Sequence, residues 1–207
     1  MWENFDLPTI EKDFTKLKNI GFNAVRIFVP FETFGKSAVD PQKINELNQL
    51  LEVADRLKLK VVVTLFDFFL GYEVTEWTIS DSHAEQIVPA VAHRPSLFAW
   101  GVQNAPDLDL VSFVKRRVTS WLHFIISRIK TYDPNHFVTI GWSQPEISNE
   151  LSSLQDFISF HFYRSPSELS DFLESSESAG KPLFLGETGM HSYSRWWFPF
   201  SKDEDDQ

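Results

Sequence analysis

The chain has 207 residues, 43% hydrophobic and 15% aromatic, which suits a single domain with one sizeable core. Its net charge of −10 argues against a nucleic-acid partner, which normally needs a basic patch. The absence of cysteine removes both a disulfide framework and thiolate chemistry. No window approaches the ~18 apolar residues of a membrane span. The start, Met1-Trp2-Glu3-Asn4-Phe5-Asp6, lacks the basic and apolar regions of a signal peptide. The compartment stays open, since a chain without cysteine suits the cytosol and equally a secreted domain without bridges.

In chain order, Ile10, Phe14, Leu17 and Ile20 share one face of a helix expected over residues 9–20, with Pro8 or Thr9 near its start and Gly21 at its stop. The run 23–29 reads as a short strand closed by Pro30. Pro41 opens a helix over 41–57, where Ile44, Leu47, Leu51 and Ala54 repeat at three to four residues. Residues 61–66, Val-Val-Val-Thr-Leu-Phe, are apolar on both faces, as a buried parallel strand should be. The same alternation predicts a helix near 83–92, a strand over 97–103 and a long helix over 110–131. A strand at 137–141, a short helix near 145–151, a strand at 157–162, a helix at about 166–178 and a strand at 183–186 follow. The stretch Lys202-Asp203-Glu204-Asp205-Asp206 makes 201–207 an acidic, solvated tail of one domain spanning 1–207.

Strands alternating with helices imply an α/β protein whose parallel sheet is covered by helices. An open doubly wound sheet would fit the periodicity, but no Gly-x-Gly-x-x-Gly or Gly-x-x-x-x-Gly-Lys follows any strand. The strand ends instead carry Arg26, Asp67, Asn104, Trp142, His161 with Tyr163, and Glu187. In a closed barrel those ends converge on the face where barrel enzymes place their chemistry. The expectation is therefore a TIM (β/α)8-type barrel shortened to about six strands, without its first and last. Roughly 200 residues is the lower limit for the full eight.

Two segments are more specific: Trp100-Gly101-Val102-Gln103-Asn104-Ala105-Pro106 and Pro182-Leu183-Phe184-Leu185-Gly186-Glu187-Thr188-Gly189. Together with Gly21-Phe22-Asn23-Ala24-Val25-Arg26-Ile27 and His161-Phe162-Tyr163, they resemble the cellulase- and mannanase-like barrel glycosidases, the clan of family 5 and its relatives. The likeness runs from the first helix to just past Glu187. That clan ends its fourth strand in Asn-Glu-Pro, whose Glu is the acid/base, and its seventh in a nucleophilic Glu. The resemblance thus implies that Glu187 is the nucleophile and that Ala105 stands at the acid/base position between Asn104 and Pro106. It further implies that Arg26 supports the nucleophile and that His161 and Tyr163 line the site.

These residue types suit the chemistry. Retaining hydrolysis uses two carboxyl groups roughly 5 Å apart, one attacking the anomeric carbon and one protonating the leaving oxygen. A nearby cation such as Arg26 favours the ionised nucleophile, and Tyr163 can hydrogen-bond the same carboxylate. Asn104 suits a sugar hydroxyl next to the reacting carbon. Trp77, Trp142, Trp196 and Trp197 are candidate flat platforms for sugar rings. Taken singly, each residue has a plainer reading. Glu187 and Arg26 alone would be a structural ion pair, His161 a packed histidine, each Trp core or rim packing, and Asp67 a solvated loop acid. His83, His93, His123 and His136 show no metal-ligand spacing, so neither a metal nor a cofactor is expected.

Ala105 separates family from turnover. A methyl group cannot donate a proton, and losing a general acid typically lowers the rate about 10²–10⁴-fold. Such an alanine arises by design, to stop turnover with sugar bound, or in a natural relative that binds glycosides without cleaving them. Three functions follow: a retaining glycoside hydrolase on a β-linked polysaccharide or glycoside with its acid step disabled, a carbohydrate-binding pseudo-glycosidase, or a structural barrel fragment. The expected partners are an oligosaccharide and a second copy covering open barrel edges, with no nucleic acid and no membrane.

Overall fold

The computed structural model describes residues 1–110, 115–148, 151–176 and 180–189. Six parallel strands form one sheet in chain order: β1 (Ala24–Pro30), β2 (Lys60–Asp67), β3 (Leu97–Asn104), β4 (Phe137–Trp142), β5 (Ile158–Phe162) and β6 (Leu183–Thr188). Helices α1 (Leu7–Asn19), α2 (Pro41–Leu57), α3 (Trp77–Val91), α4 (Pro106–Asp109), α5 (Lys115–Tyr132) and α6 (Pro166–Ser176) precede or connect them. The sheet curls into a half-barrel, the shortened (β/α) barrel that the alternation implied. Every connection returns through helix or turn to the neighbouring strand, so all six C-terminal ends point the same way.

The helix ends follow local chemistry. Asp40 caps α2 by accepting from the Gln42 backbone N–H at 2.8 Å, with Pro41 in the first turn. Gly21, at φ 99°, takes the left-handed turn that ends α1. Helix α3 starts six residues earlier than its periodicity implies, at Trp77. Two tertiary contacts hold the extra turn, the Trp77 ring stacking on Phe124 at 4.7 Å and Trp121 Nε1 donating to Ser80 Oγ at 3.1 Å, and Ser80 Oγ donates locally to Trp77 O. The helix expected over 145–151 is instead two 3₁₀ turns, Pro145–Ile147 and Ser152–Leu154, which flank residues outside the described set. The helix expected over 110–131 is found as α5 from Lys115 to Tyr132, with 111–114 outside the described residues and the short α4 preceding it.

The main core lies between the convex side of the sheet and the helices. Its centre is aromatic: Trp121 of α5 stacks on Phe69 at 4.7 Å and meets Phe66 and Tyr72 edge-on. Fully burying such side chains contributes about 1.5–3 kcal/mol each. The opposite side of the sheet carries Arg26, its register partner Val62 and, one strand on, Ala99. There Val62, Ala99 and Phe157, joined by Phe98 and Phe184, form a smaller apolar plug. Above this plug the lining turns small and polar, with Thr64, Gly101, Gly141 and Ser159. That change of size makes room for one long charged side chain.

Candidate active site

Arg26 is the hub. From β1 its Nε donates to Thr64 Oγ1 on β2 at 3.0 Å, and its Nη2 to Asn104 Oδ1 at the end of β3 at 2.9 Å. Its Nη1 donates to Glu187 Oε1 on β6 at 3.0 Å and lies 3.3 Å from His161 Nε2 on β5. Strand β4 takes part by leaving space: a Cβ on Gly141 would lie 2.6 Å from Nη2, closer than such contacts allow. A Cβ on Gly101 would likewise meet Thr64 Oγ1 at 2.6 Å and displace the hydroxyl that accepts from Nε. One guanidinium thus touches or shapes all six strands. Burial holds its pKa below the usual arginine value, and the Glu187 charge opposes that shift. Arginine stays protonated in proteins regardless.

Glu187 sits at the open end of this cluster with its side chain 29% exposed, against 11% for Arg26. Its second oxygen, Oε2, accepts from Tyr163 Oη at 2.6 Å. That hydrogen bond is the main reason the Tyr163 phenol is pushed up to about 12, with burial adding to it. Burial lowers the pKa of His161, with Glu187 raising it and Arg26 lowering it again, so the imidazole is neutral near pH 7. Because a guanidinium only donates, Nε2 is the accepting nitrogen and the ring proton rests on Nδ1. Glu187 Oε1 is 3.5 Å from that Nε2. Asp67, half-buried at the end of β2, has its pKa raised chiefly by burial; Arg26 opposes the shift, and Glu187 adds to it.

Ala105 follows Asn104 in a left-handed conformation, φ 51° and ψ 47°, with Pro106 opening α4. Its N–H donates to Gly141 O at 2.6 Å, which ties the end of β3 to β4. The neighbouring carboxylates are engaged elsewhere. Asp107 is buried and accepts from the Ser143 N–H at 2.8 Å and from its hydroxyl at 2.5 Å. Asp109 accepts from Tyr72 Oη and from Gln103 Nε2 at 3.4 Å, and burial raises its pKa. Glu146 pairs with Arg164 at 2.7 Å, an interaction that lowers its pKa.

Arg26, Asn104, His161, Tyr163 and Glu187 therefore meet in one cluster, with Asp67 in its electrostatic reach. The tryptophans are placed differently. Trp142 is 1% exposed and offers no open ring face, so it does not serve as a platform in this arrangement. Trp77 stacks on Phe124 among the helices, and Trp196 and Trp197 lie outside the described residues. Thr64 is the site member that sequence reasoning passed over. Its signal was visible as the one hydroxyl within the otherwise apolar run 61–66. Among the described residues no group of three or more His, Asp or Glu is placed to hold a metal ion, and no helix is long and apolar enough to cross a membrane.

Solved structures with the same architecture include glycoside hydrolases. A GH5_18 protein from Streptomyces cattleya, in complex with Manb1-4GlcNAc, is 17% identical over 78% of this chain and 48% of that chain, with a TM-score of 0.67. The exo-beta-1,4-mannosidase Op5Man5 from Opitutaceae bacterium strain TAV5 is 17% identical over 91% and 43%, with a TM-score of 0.79. The beta-mannanase of the blue mussel Mytilus edulis is 15% identical over 77% and 64%, with a TM-score of 0.63. At these identities the likeness is one of fold. The chain spans about half or less of the first of these structures. A search of curated proteins gives no match. The family model for cellulase, glycosyl hydrolase family 5, matches residues 1–207, and the chain therefore belongs to glycosyl hydrolase family 5.

Proposed function

We propose that this chain is a retaining-type glycosidase framework for β-linked glycosides, with Glu187 as nucleophile and the acid/base lost at Ala105. The observation that carries the reading is the paired support of Glu187: Arg26 at 3.0 Å on one oxygen and Tyr163 at 2.6 Å on the other. Donors on both oxygens orient a carboxylate for attack and disperse its charge until the new bond forms. Arg26 occupies Asn104 Oδ1, which turns the Asn104 amide N–H groups toward a sugar hydroxyl. Such a contact strengthens as the oxocarbenium-like transition state develops.

In the first step Glu187 attacks the anomeric carbon and the glycosidic C–O bond breaks. With a methyl group at 105, the leaving oxygen departs unprotonated. Only glycosides whose leaving group is a stable anion should then react at a useful rate. The second step, attack by water on the glycosyl-enzyme, equally lacks a base. Efficient turnover of natural glycosides is therefore not expected, and saccharide binding is the alternative role of the same cleft.

The test is mass spectrometry after incubation with dinitrophenyl β-glycosides, including β-mannosides because the Streptomyces cattleya relative carries a mannose-containing disaccharide. A glycosyl adduct on Glu187, discharged faster by azide, supports the reading. No adduct from any sugar counts against it. Ala105→Glu then distinguishes the roles. Hydrolysis of unactivated glycosides gained by this variant marks a disabled enzyme, whereas oligosaccharide binding without gained hydrolysis marks a binding protein.

A further inference from the structure

Phe68 directly follows Asp67 at the mouth of the site, and its backbone is left-handed, at φ 59°. A bulky residue is strained there. The ring is 82% exposed, so burial does not offset the strain. The turn around it is nevertheless firmly built. Phe69 is buried, stacked on Trp121 at 4.7 Å and edge-on to Phe31 at 4.9 Å. Its carbonyl accepts from Gln103 Nε2 at 2.9 Å, and its N–H donates to Phe66 O at 3.4 Å. On the other side, Asp67 O accepts from the Phe31 N–H at 3.3 Å. The backbone is thus pinned on both sides of an aromatic ring that stays in water. Strain kept without a return in stability, next to a carboxylate within electrostatic reach of Arg26 and Glu187, points to function.

We propose that Phe68 is the stacking platform for a pyranose ring of the bound saccharide, with Asp67 accepting hydrogen bonds from its hydroxyls. This rests on the glycoside reading of the Glu187 site. A pyranose has an apolar C–H face and a polar edge, which match an exposed ring beside a carboxylate. Asp67 lies within electrostatic reach of both Arg26 and Glu187, so a saccharide reacting at Glu187 meets Phe68 as it leaves the cleft. Leu70, on the same turn and 57% exposed, extends the apolar edge.

The test combines calorimetry with thermal unfolding, using β-linked manno- and gluco-oligosaccharides of two to five units. Phe68→Gly is expected to raise Tm, because glycine relieves the left-handed strain. It should at the same time weaken oligosaccharide binding roughly tenfold. Phe68→Trp should keep or tighten binding. Unchanged affinity in Phe68→Gly overturns the platform, and the glycoside reading then stands if an activated glycoside still leaves an adduct on Glu187. No binding by the parent chain to any saccharide overturns both. Loss of self-association in Phe68→Gly, measured by sedimentation with sugar affinity intact, would overturn the platform in favour of a protein contact.

Discussion

The candidate site turns on a handful of side chains, and Arg26 makes the most contacts among them. It donates to Thr64, Asn104 and Glu187 from a largely buried position, so removing its charge leaves buried polar groups and a part-exposed carboxylate without their partner. Arg26→Met should lower stability by about 3–5 kcal/mol in urea unfolding. Arg26→Lys should recover only part of the loss, because an ammonium cannot reproduce the planar fork. Tyr163 gives an optical readout of the same cluster. Its phenol should titrate near 12 rather than 10, since the hydrogen bond to Glu187 holds its proton. Glu187→Gln should bring that midpoint down in ultraviolet titration. Gly141→Ala should disturb both readouts, because the added methyl meets Arg26 Nη2 at 2.6 Å.

At the scale of elements, the packing between sheet and helices hides a titratable group. His83 of α3 is fully buried, tilted against Phe31 and Phe66, and its Nδ1 lies 2.8 Å from Lys36 O. Burial lowers its pKa from 6.5 to about 4. The unfolded chain therefore binds a proton between these values that the folded chain does not, and stability rises with pH across this window. As pH falls from about 6.5 to about 4, His83 should remove about 3 kcal/mol of stability. Denaturant unfolding at several pH values checks this, and His83→Leu should flatten the slope. The early start of α3 has a related origin. Residues 77–82, Trp-Thr-Ile-Ser-Asp-Ser, are modest helix formers, and contacts with Phe124 and Trp121 supply what propensity does not.

For the whole molecule, the described strands leave β1 and β6 as the edges of the sheet. Arg26 and Glu187 sit on these two edges and link them through side chains rather than a backbone ladder. Unpaired strand edges invite association, which motivates the expectation of a second copy. Sedimentation velocity over rising concentration should show self-association, and Leu185→Lys, placing a charge on the half-exposed β6, should reduce it. Unchanged behaviour in that variant would mean the edges are not the contact.

Much of this protein was determined by the sequence alone. The period of the apolar residues dictated strand or helix, and buried runs such as 61–66 required a covered parallel sheet. The polar strand ends marked the site, because strands arranged in parallel gather their C-terminal ends whatever lies between. Tertiary structure decided the rest. The family resemblance paired Arg26 with Glu187, 161 positions apart, but only folding shows that the same guanidinium also donates to Thr64 and Asn104. Only packing shows that Trp142 is sealed in the core while Phe68 stands in water. Local sequence sets the direction of the backbone and the period of its faces. Burial and side-chain partners depend on what the remaining strands and helices bring alongside.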